Sequence, residues 1–100
     1  MGNYEVVISN KLKDKLIINQ NYYHSKNADE YFAVFIKVLN NHVGILKENP
    51  NIAVKYSKYV RKYVIKEIKQ VLYFIIEEEN NRIILLELSN FKERTPFIHY

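Results

Sequence analysis

The stretch from residue 59 to residue 88, YVRKYVIKEIKQVLYFIIEEENNRIILLEL, constrains the fold of this chain more than any other. It contains three apolar runs, rich in β-branched and aromatic residues, at 59–65, 71–76 and 83–88. Runs of about six such residues bounded by polar segments predict β-strands. The connections at 66–70 and 77–82 are too short for a crossover, so neighbouring strands must run antiparallel. The sequence therefore predicts a three-stranded meander.

The predicted meander is apolar on both faces. Alternate residues of a strand point to opposite sides, and in the second strand both sets are apolar: Val71, Tyr73 and Ile75 on one side, Leu72, Phe74 and Ile76 on the other. A sheet with one face in water would alternate apolar with polar residues instead. We expect helices to cover the side of Val71 and Tyr73. The side of Leu72, Phe74 and Ile76 then remains as an apolar patch for a partner protein.

The residues before the meander predict one strand and two helices. A short strand at 4–9 precedes a helix at 11–24, for which Ser9 is a suitable N-cap. Asn27, with Glu30 three residues later, has the arrangement of a capping box for a second helix at 28–48. That helix has a regular apolar face and ends before Pro50, because the residue preceding a proline is disfavoured in helical conformation. The residues of this face are Phe32, Phe35, Leu39, Val43 and Leu46.

These elements predict a single α+β domain over residues 1–100 with the order β-α-α-β-β-β. Two helices joined by a few residues form an antiparallel hairpin, which can pack on one face of a small, mainly antiparallel sheet. Residues 51–57 are either a linker or a ragged strand start. Residues 89–100 form a basic and aromatic tail, in which a proline argues against a long regular element.

Composition excludes several kinds of site. The chain has no cysteine, only Gly2 and Gly44 as glycines, and no His, Asp and Glu at metal-ligand spacing, so we expect no metal, no phosphate-binding glycine loop and no cofactor. His24 and His42 are expected to be surface or capping residues. No apolar run approaches the roughly 20 residues that span a bilayer, and no signal-peptide pattern is present, so we expect a cytoplasmic protein without membrane attachment. The net charge of +4 weakly favours an anionic partner.

The order of elements and the local sequence together resemble the RelE/ParE superfamily of bacterial type II toxins. The resemblance rests on an arginine strand after the helical hairpin, two further strands with short turns, a basic segment ending in proline, and a helix end of the form L-x-x-N-P at Leu46 to Pro50. The corresponding segments are YVRKYV, QVLYFI, EEENNR, IILLEL and FKERTP. This likeness implies the same α+β fold and a growth-inhibiting toxin of the kind that stabilises plasmids.

One position departs from the nuclease members of this superfamily. The second-strand arginine that RelE-type nucleases use at the scissile phosphate corresponds to Gln70, which cannot supply a bidentate, charge-assisted phosphate contact. Strand alternation places Arg61 on the same face as Gln70, so Arg61 can substitute as a phosphate contact together with Lys92 or Arg94. The alternative of equal weight is that Arg61 forms a salt bridge with an acidic partner or with a carboxylate of the tail.

Three functions remain open at this stage. A RelE-like ribosome-dependent mRNA endonuclease would use Arg61 and Arg94 for charge stabilisation, with proton transfer by His99 and Tyr100, unless those terminal residues merely cover the sheet. A ParE-like inhibitor of DNA gyrase needs no acid–base set and fits the sequence better, with the outer face of the helical hairpin and the basic tail as expected contacts. The third function is a non-toxic interaction module of the same fold.

Partners follow from these alternatives. The resemblance implies a cognate antitoxin with a disordered segment that wraps the toxin, in a hetero-oligomer. The apolar patch is its expected binding face, with self-association as the alternative. The target is DNA gyrase or the ribosome with its mRNA, and the expected nucleic-acid or target contacts are Lys58, Lys62 and Lys92.

Overall fold

The computed structural model describes residues 3–96 and residue 98, and it confirms the predicted α+β class. Its helices and strands follow one another as β1 (Glu5–Ile8), α1 (Asn10–Ser25), α2 (Asp29–Glu48), β2 (Val54–Lys55), β3 (Val60–Ile65), β4 (Gln70–Glu77) and β5 (Arg82–Asn90). Over this described part, neither helix is long and apolar enough to cross a membrane.

The strands form one mixed five-stranded sheet in the order β1-β5-β4-β3-β2. The β3-β4 and β4-β5 pairs are antiparallel, which confirms the predicted meander. β1 pairs in parallel with β5 at the opposite edge from β2. The two-residue strand β2 falls in the segment 51–57 that was expected to be a linker or a ragged strand start, and it pairs antiparallel with β3.

The two helix starts differ in how well the sequence predicts them. The Ser9 hydroxyl accepts a hydrogen bond from the Leu12 N–H at 3.1 Å, as expected of an N-cap for α1. The predicted capping box at Asn27 is wrong. Asn27 has φ 55° and its N–H donates to the His24 carbonyl at 3.0 Å, so it closes the end of α1. Asparagine tolerates this left-handed conformation and is common at such a position.

The helices pack on the side of the sheet opposite to the one we predicted. Leu72 and Phe74 are fully buried in a core that also contains Leu12 of α1 and Phe35 of α2, and Ile76 packs against that core. The expectation that these residues form an open antitoxin-binding face is therefore wrong. Both residue sets of β4 are apolar, so alternation alone could not decide which set the helices cover.

The other face of the sheet, here called the back face, is closed by the chain itself. Val60, Tyr73 and Ile75 are at most 5% exposed, although no helix residue packs with them among those described. Their cover comes from the segment before β3 and from the tail: Tyr56 packs against this cluster, its hydroxyl donates to the Pro96 carbonyl at 2.8 Å, and Ile98 joins the same cluster. The chain therefore covers the centre of the back face, whereas Val64 near the end of β3 is 43% exposed.

Next to a bulge in β5, a buried carboxylate links helix α1 to the sheet. Between Tyr73 and Phe74 the register of β4 against β5 shifts, so one extra residue stands in β5. Next to the bulge, the buried Glu87 carboxylate lies 3.0 Å from Lys11 Nζ and 3.5 Å from Lys15 Nζ, and it accepts the Leu88 N–H. Burial raises the pKa of Glu87, but the bonds from Lys11 and Leu88 and the two lysine charges outweigh it, so the pKa lies below its ordinary value.

Both turns of the meander use the same conformation. Each is a short 3-10 turn, at Lys66–Ile68 and at Glu78–Asn80, followed by one residue in left-handed conformation. These residues are Lys69 and Asn81, both with φ 52°. Asparagine visits this region readily, whereas a lysine there is strained by its Cβ at a cost of about 1–2 kcal/mol.

The strain at Lys69 predicts that Lys69→Gly stabilises the protein. We expect the free energy of unfolding in urea to rise by about 0.5–1 kcal/mol, since glycine removes the Cβ clash but adds backbone entropy to the unfolded chain. The matched variant Asn81→Gly occupies the same position in the second turn and should change the stability little. Equal effects at the two positions would contradict the explanation.

Glu87 predicts a pH-dependent loss of stability. Because its pKa is lower in the folded chain, the unfolded chain takes up the proton first as the pH falls, and the folded state is destabilised. The contribution is complete above the ordinary value of 4.5 and disappears as the pH falls through the lowered value. Glu87→Gln should cost about 1–3 kcal/mol near pH 7 and progressively less in acid. Glu79→Gln, which removes an exposed carboxylate, should show no such convergence with the parent protein in urea titrations.

Candidate functional site

A cleft of about 360 Å³ lies where the start of β4 and the end of β5 meet the tip of the helical hairpin. We call it the Gln70 cleft. Its lining comes from both helices, from the first turn of the meander and from the segment after β5: Tyr23, Tyr31, Phe35, Ile68, Lys69, Gln70, Asn90, Phe91 and Lys92. A concavity of this size at a junction of elements is a usual location for a binding site.

Backbone pairing fixes the floor of this cleft. Gln70 is the first residue of β4 and lies between Ile65 of β3 and Asn90 of β5. The Asn90 side-chain oxygen accepts the N–H of Lys92 at 2.9 Å, and the Phe91 N–H donates to the Lys69 carbonyl at 3.1 Å. The segment that carries Lys92 is therefore tied to both β5 and the first turn.

Aromatic side chains form one wall of the cleft. The rings of Tyr23 and Tyr31 lie 5.4 Å apart, and Tyr23 also packs against Phe32 at 6.0 Å. Tyr31 is 64% exposed and Phe91 is 51% exposed, so two aromatic side chains of the lining face water. Exposed aromatic rings next to a cleft are typical of binding surfaces, because their burial on binding contributes a large area at a small entropic cost.

The cleft offers positive charge, amides and aromatic rings to a ligand. Two lysines and two side-chain amides line it beside the aromatic wall, and within the described residues its lining includes no carboxylate and no histidine. General acid–base catalysis requires a group of suitable pKa within hydrogen-bond reach of the reacting proton. The Gln70 cleft can hold an anionic or aromatic group of a partner, and its described groups capable of proton transfer are tyrosines and lysines.

Arg61 lies far from Gln70 along the sheet. It pairs with Phe74, four residues before Ile65, which pairs with Gln70. The two positions share one face of the sheet, as predicted, but stand about 13 Å apart along the strand direction. The Arg61 guanidinium donates to the Ala53 carbonyl at 2.7 Å, and within the described part of the chain it forms no ion pair. Arg61 therefore lies apart from the Gln70 position, and its two expected roles, as a phosphate contact or in a salt bridge with an acidic partner or a tail carboxylate, stay predictions.

The other predicted site residues are dispersed. Lys58 precedes β3, and its ammonium lies 5.3 Å from the centre of the Tyr59 ring. Lys62 of β3 pairs with Tyr73 of β4. Arg94 is exposed after β5. His99 and Tyr100 lie outside the described residues. The structure thus brings Lys92 to Gln70, and it brings Lys58 to Arg61 at the other end of the strands.

A hydrogen-bonded group that sequence reasoning missed stands beside the cleft. His42 of α2 has Nδ1 2.8 Å from the Tyr63 hydroxyl and Nε2 3.0 Å from a Glu67 carboxylate oxygen. The hydrogen bond with His42 lowers the pKa of Glu67, whereas burial and the Glu67 charge raise the pKa of Tyr63. The expectation that His42 is a surface or capping residue is wrong. Its partners are 21 and 25 residues away, so no local pattern could reveal them.

Comparison with known proteins establishes the fold alone. No protein-family model matches this chain, and no curated protein matches it significantly. Among solved structures, it is similar to a chain of the "Chromosomal ParDE TA system from P. aeruginosa", with a TM-score of 0.71 and 13% sequence identity. The match covers 88% of this chain and 96% of that chain. The ParE-like fold inferred from sequence is therefore confirmed.

The His42 group predicts coupled effects on stability. His42→Ala removes two hydrogen bonds that join α2 to β3 and to the first turn, and should lower the free energy of unfolding by roughly 1–3 kcal/mol. Tyr63→Phe, which removes one of them, should cost about 1 kcal/mol. In the double variant the Tyr63→Phe change should add little, since its partner is already absent. Additive losses in urea denaturation would contradict this coupling.

Proposed function

We propose that this chain is the toxin of a type II toxin–antitoxin system, of the ParE-like kind, that arrests growth by binding DNA gyrase and is neutralised by a cognate antitoxin. The observation that carries the proposal is the likeness in fold, over nearly the whole of both chains, to a chain of a ParDE toxin–antitoxin system. The resemblance of the segments from Arg61 to Pro96 to RelE/ParE toxins supports it independently of the coordinates.

The Gln70 cleft favours a binding toxin over a nuclease. Cleavage of RNA by its own 2′-hydroxyl needs a base, an acid and a charge stabiliser at the phosphate. Gln70 is neutral, and Arg61 is held by the Ala53 carbonyl about 13 Å along the strand direction from it. Loss of one electrostatic stabiliser of this kind typically costs about 10²–10³ in rate. Inhibition of gyrase by occupancy needs none of these groups.

The same cleft is the surface that we propose for the target. Tyr31 and Phe91 offer exposed rings, and Lys69 and Lys92 add positive charge, beside the tip of the hairpin. Anchors of this kind, an aromatic ring beside a cation, carry a large share of binding energy at protein interfaces. The outer face of the hairpin and the segment after β5 were the contacts expected for a gyrase inhibitor, and the cleft lies between them.

The antitoxin must bind elsewhere than the face first expected for it. Leu72 and Phe74 are buried under the helices, whereas the outside of the helices carries large apolar side chains that face water. These include Ile17, Ile18, Tyr22 and Val34, each more than half exposed. An amphipathic helix or extended segment of acidic character suits this surface, because the toxin carries a net charge of +4.

Expression of the chain without an antitoxin tests the proposal. We expect growth arrest, inhibition of supercoiling by purified gyrase in the presence of the purified chain, and intact cellular mRNA. Codon-positioned cuts in mRNA would select the nuclease instead. Normal growth and normal supercoiling with folded, soluble protein would overturn the toxin proposal altogether.

Matched variants locate the effect. Tyr31→Ala and Lys92→Gln alter the Gln70 cleft and should weaken inhibition of supercoiling about tenfold or more, as expected for interface anchors. Ile45→Ala trims a side chain that is also exposed, at 47%, near the other end of α2, and should leave inhibition unchanged. Equal effects of the three variants would reject the cleft as the contact surface.

A further inference from the structure

A second cleft, of about 230 Å³, lies at the opposite end of the strands from the Gln70 cleft. The β2–β3 cleft, as we call it, is formed by β2, the start of β3 and the end of β4. Three of its side chains are cationic, and two more are neutral and polar. Among the described residues of the lining, a single carboxylate stands beside them. These residues are Lys55, Lys58, Arg61, Asn51, Ser57 and Glu78.

Strand pairing places two of the cations directly opposite each other. Lys55 of β2 and Arg61 of β3 are partners in the antiparallel register, and Lys58 lies in the connection between them. Like charges directly opposite on adjacent strands destabilise a sheet. Within the described residues, none of the three cations forms an ion pair that would relieve the repulsion. A destabilising arrangement of this kind is expected where an anion binds.

The geometry of Arg61 prepares it for such an anion. One guanidinium nitrogen, Nη1, donates to the Ala53 carbonyl at 2.7 Å, which fixes the half-buried side chain and leaves further N–H donors available. A guanidinium held in place loses less conformational entropy when it binds, and its planar donors match the oxygens of a phosphate. The hydroxyl of Ser57 and the amide of Asn51 can add neutral hydrogen bonds.

We propose that the β2–β3 cleft binds a phosphate group of the kind carried by nucleotides and nucleic-acid backbones. Three cations around one small cavity suit a group with several anionic oxygens. The volume is below the roughly 300–1,000 Å³ of sites that enclose whole ligands, so the cleft takes one group of a larger ligand. Tyr59, 57% exposed beside Lys58, provides a ring on which an adjacent base can stack.

Glu78 lowers the affinity of this site for phosphate. It is the carboxylate of the lining, and it accepts a hydrogen bond from the Tyr4 hydroxyl at 3.0 Å. Its negative charge opposes an incoming phosphate, so removal of that charge must strengthen binding. The inference does not depend on the gyrase proposal, because it concerns direct binding of phosphate by the isolated chain.

An NMR titration of the full chain tests this inference. Inorganic phosphate, a nucleoside 5′-monophosphate and a short single-stranded oligonucleotide are added in separate arms, and we expect amide shifts over residues 55–61. Lys55→Gln and Lys58→Gln should each weaken binding roughly tenfold, as for loss of a charged hydrogen bond. Lys37→Gln removes the same charge from an exposed position on α2 and should have a small effect.

Two further measurements distinguish a specific phosphate site from nonspecific electrostatic attraction of anions. Glu78→Gln should strengthen binding about twofold to fivefold by removing a like charge. Lys55→Gln should also raise the melting temperature, because it relieves the repulsion between Lys55 and Arg61. The same variant should bind phosphate less tightly. A variant that merely damaged the fold would lower both stability and binding.

The arms also identify the source of the phosphate. Tighter binding of the oligonucleotide, with the salt dependence reduced by roughly 0.7 in log–log slope for each lysine removed, supports a nucleic-acid backbone. Equal affinity for all three ligands supports free phosphate or a nucleotide. Absence of shifts over residues 55–61 in every arm, or an equal loss of binding in Lys37→Gln, would overturn the proposal.

Discussion

A sheet that is apolar on both faces is the constraint on which the rest of this structure depends. Burial of apolar area drives folding, and each face left in water would cost about 25 cal/mol for every Å² exposed. Helices α1 and α2 cover Leu72 and Phe74 on one side. The segment around Tyr56 and the tail at Ile98 cover Tyr73 on the other. A chain of 100 residues thus closes both faces with one helical hairpin and its own tail.

Closure of both faces moves the accessible chemistry to the ends of the strands. The two clefts lie at opposite ends of β4, which is eight residues long, or about 26 Å at the usual strand rise. Turn and loop residues form much of both linings, because only where the strands end do backbone and polar side chains reach water. Between these ends, the ion pair of Lys11 with Glu87 links α1 to the sheet, and the hydrogen bonds of His42 link α2 to β3 and the first turn.

Sequence reasoning succeeded where the signal is local. The strands of the meander, the hairpin, the Ser9 cap and the shared face of Arg61 and Gln70 all follow from periodicity or from short-range chemistry. It failed where two local solutions have similar energy. The two residue sets of β4 are equally apolar, so only the tertiary packing decides which one the helices cover. Asn27 suits either the start of one helix or the end of another, and the chain uses the second.

The candidate sites were harder to predict for a different reason. Gln70 and Lys92 meet because β4 and β5 pair along their whole length, and Lys55 meets Arg61 through a strand of two residues that periodicity cannot detect. His42 and Glu67 are brought together by α2 crossing over the first turn. In each case the partners are fixed by register or packing, which a pattern of residue types does not specify.

The distribution of charge links the two ends to the proposed function. Lys11 and Lys15 form ion pairs with the buried Glu87, and Lys15 also pairs with Glu93. No ion pair is formed among the described residues by the cations at the two ends of the strands, which are Lys55, Lys58 and Arg61 at one end and Lys69 and Lys92 at the other. An antitoxin segment that neutralised both ends would need to span about 26 Å, which takes at least eight extended residues. A shorter segment would leave one cationic end free. On the proposed function, inhibition of the target and the proposed binding of phosphate are therefore separable by mutation, because they reside at opposite ends of the sheet.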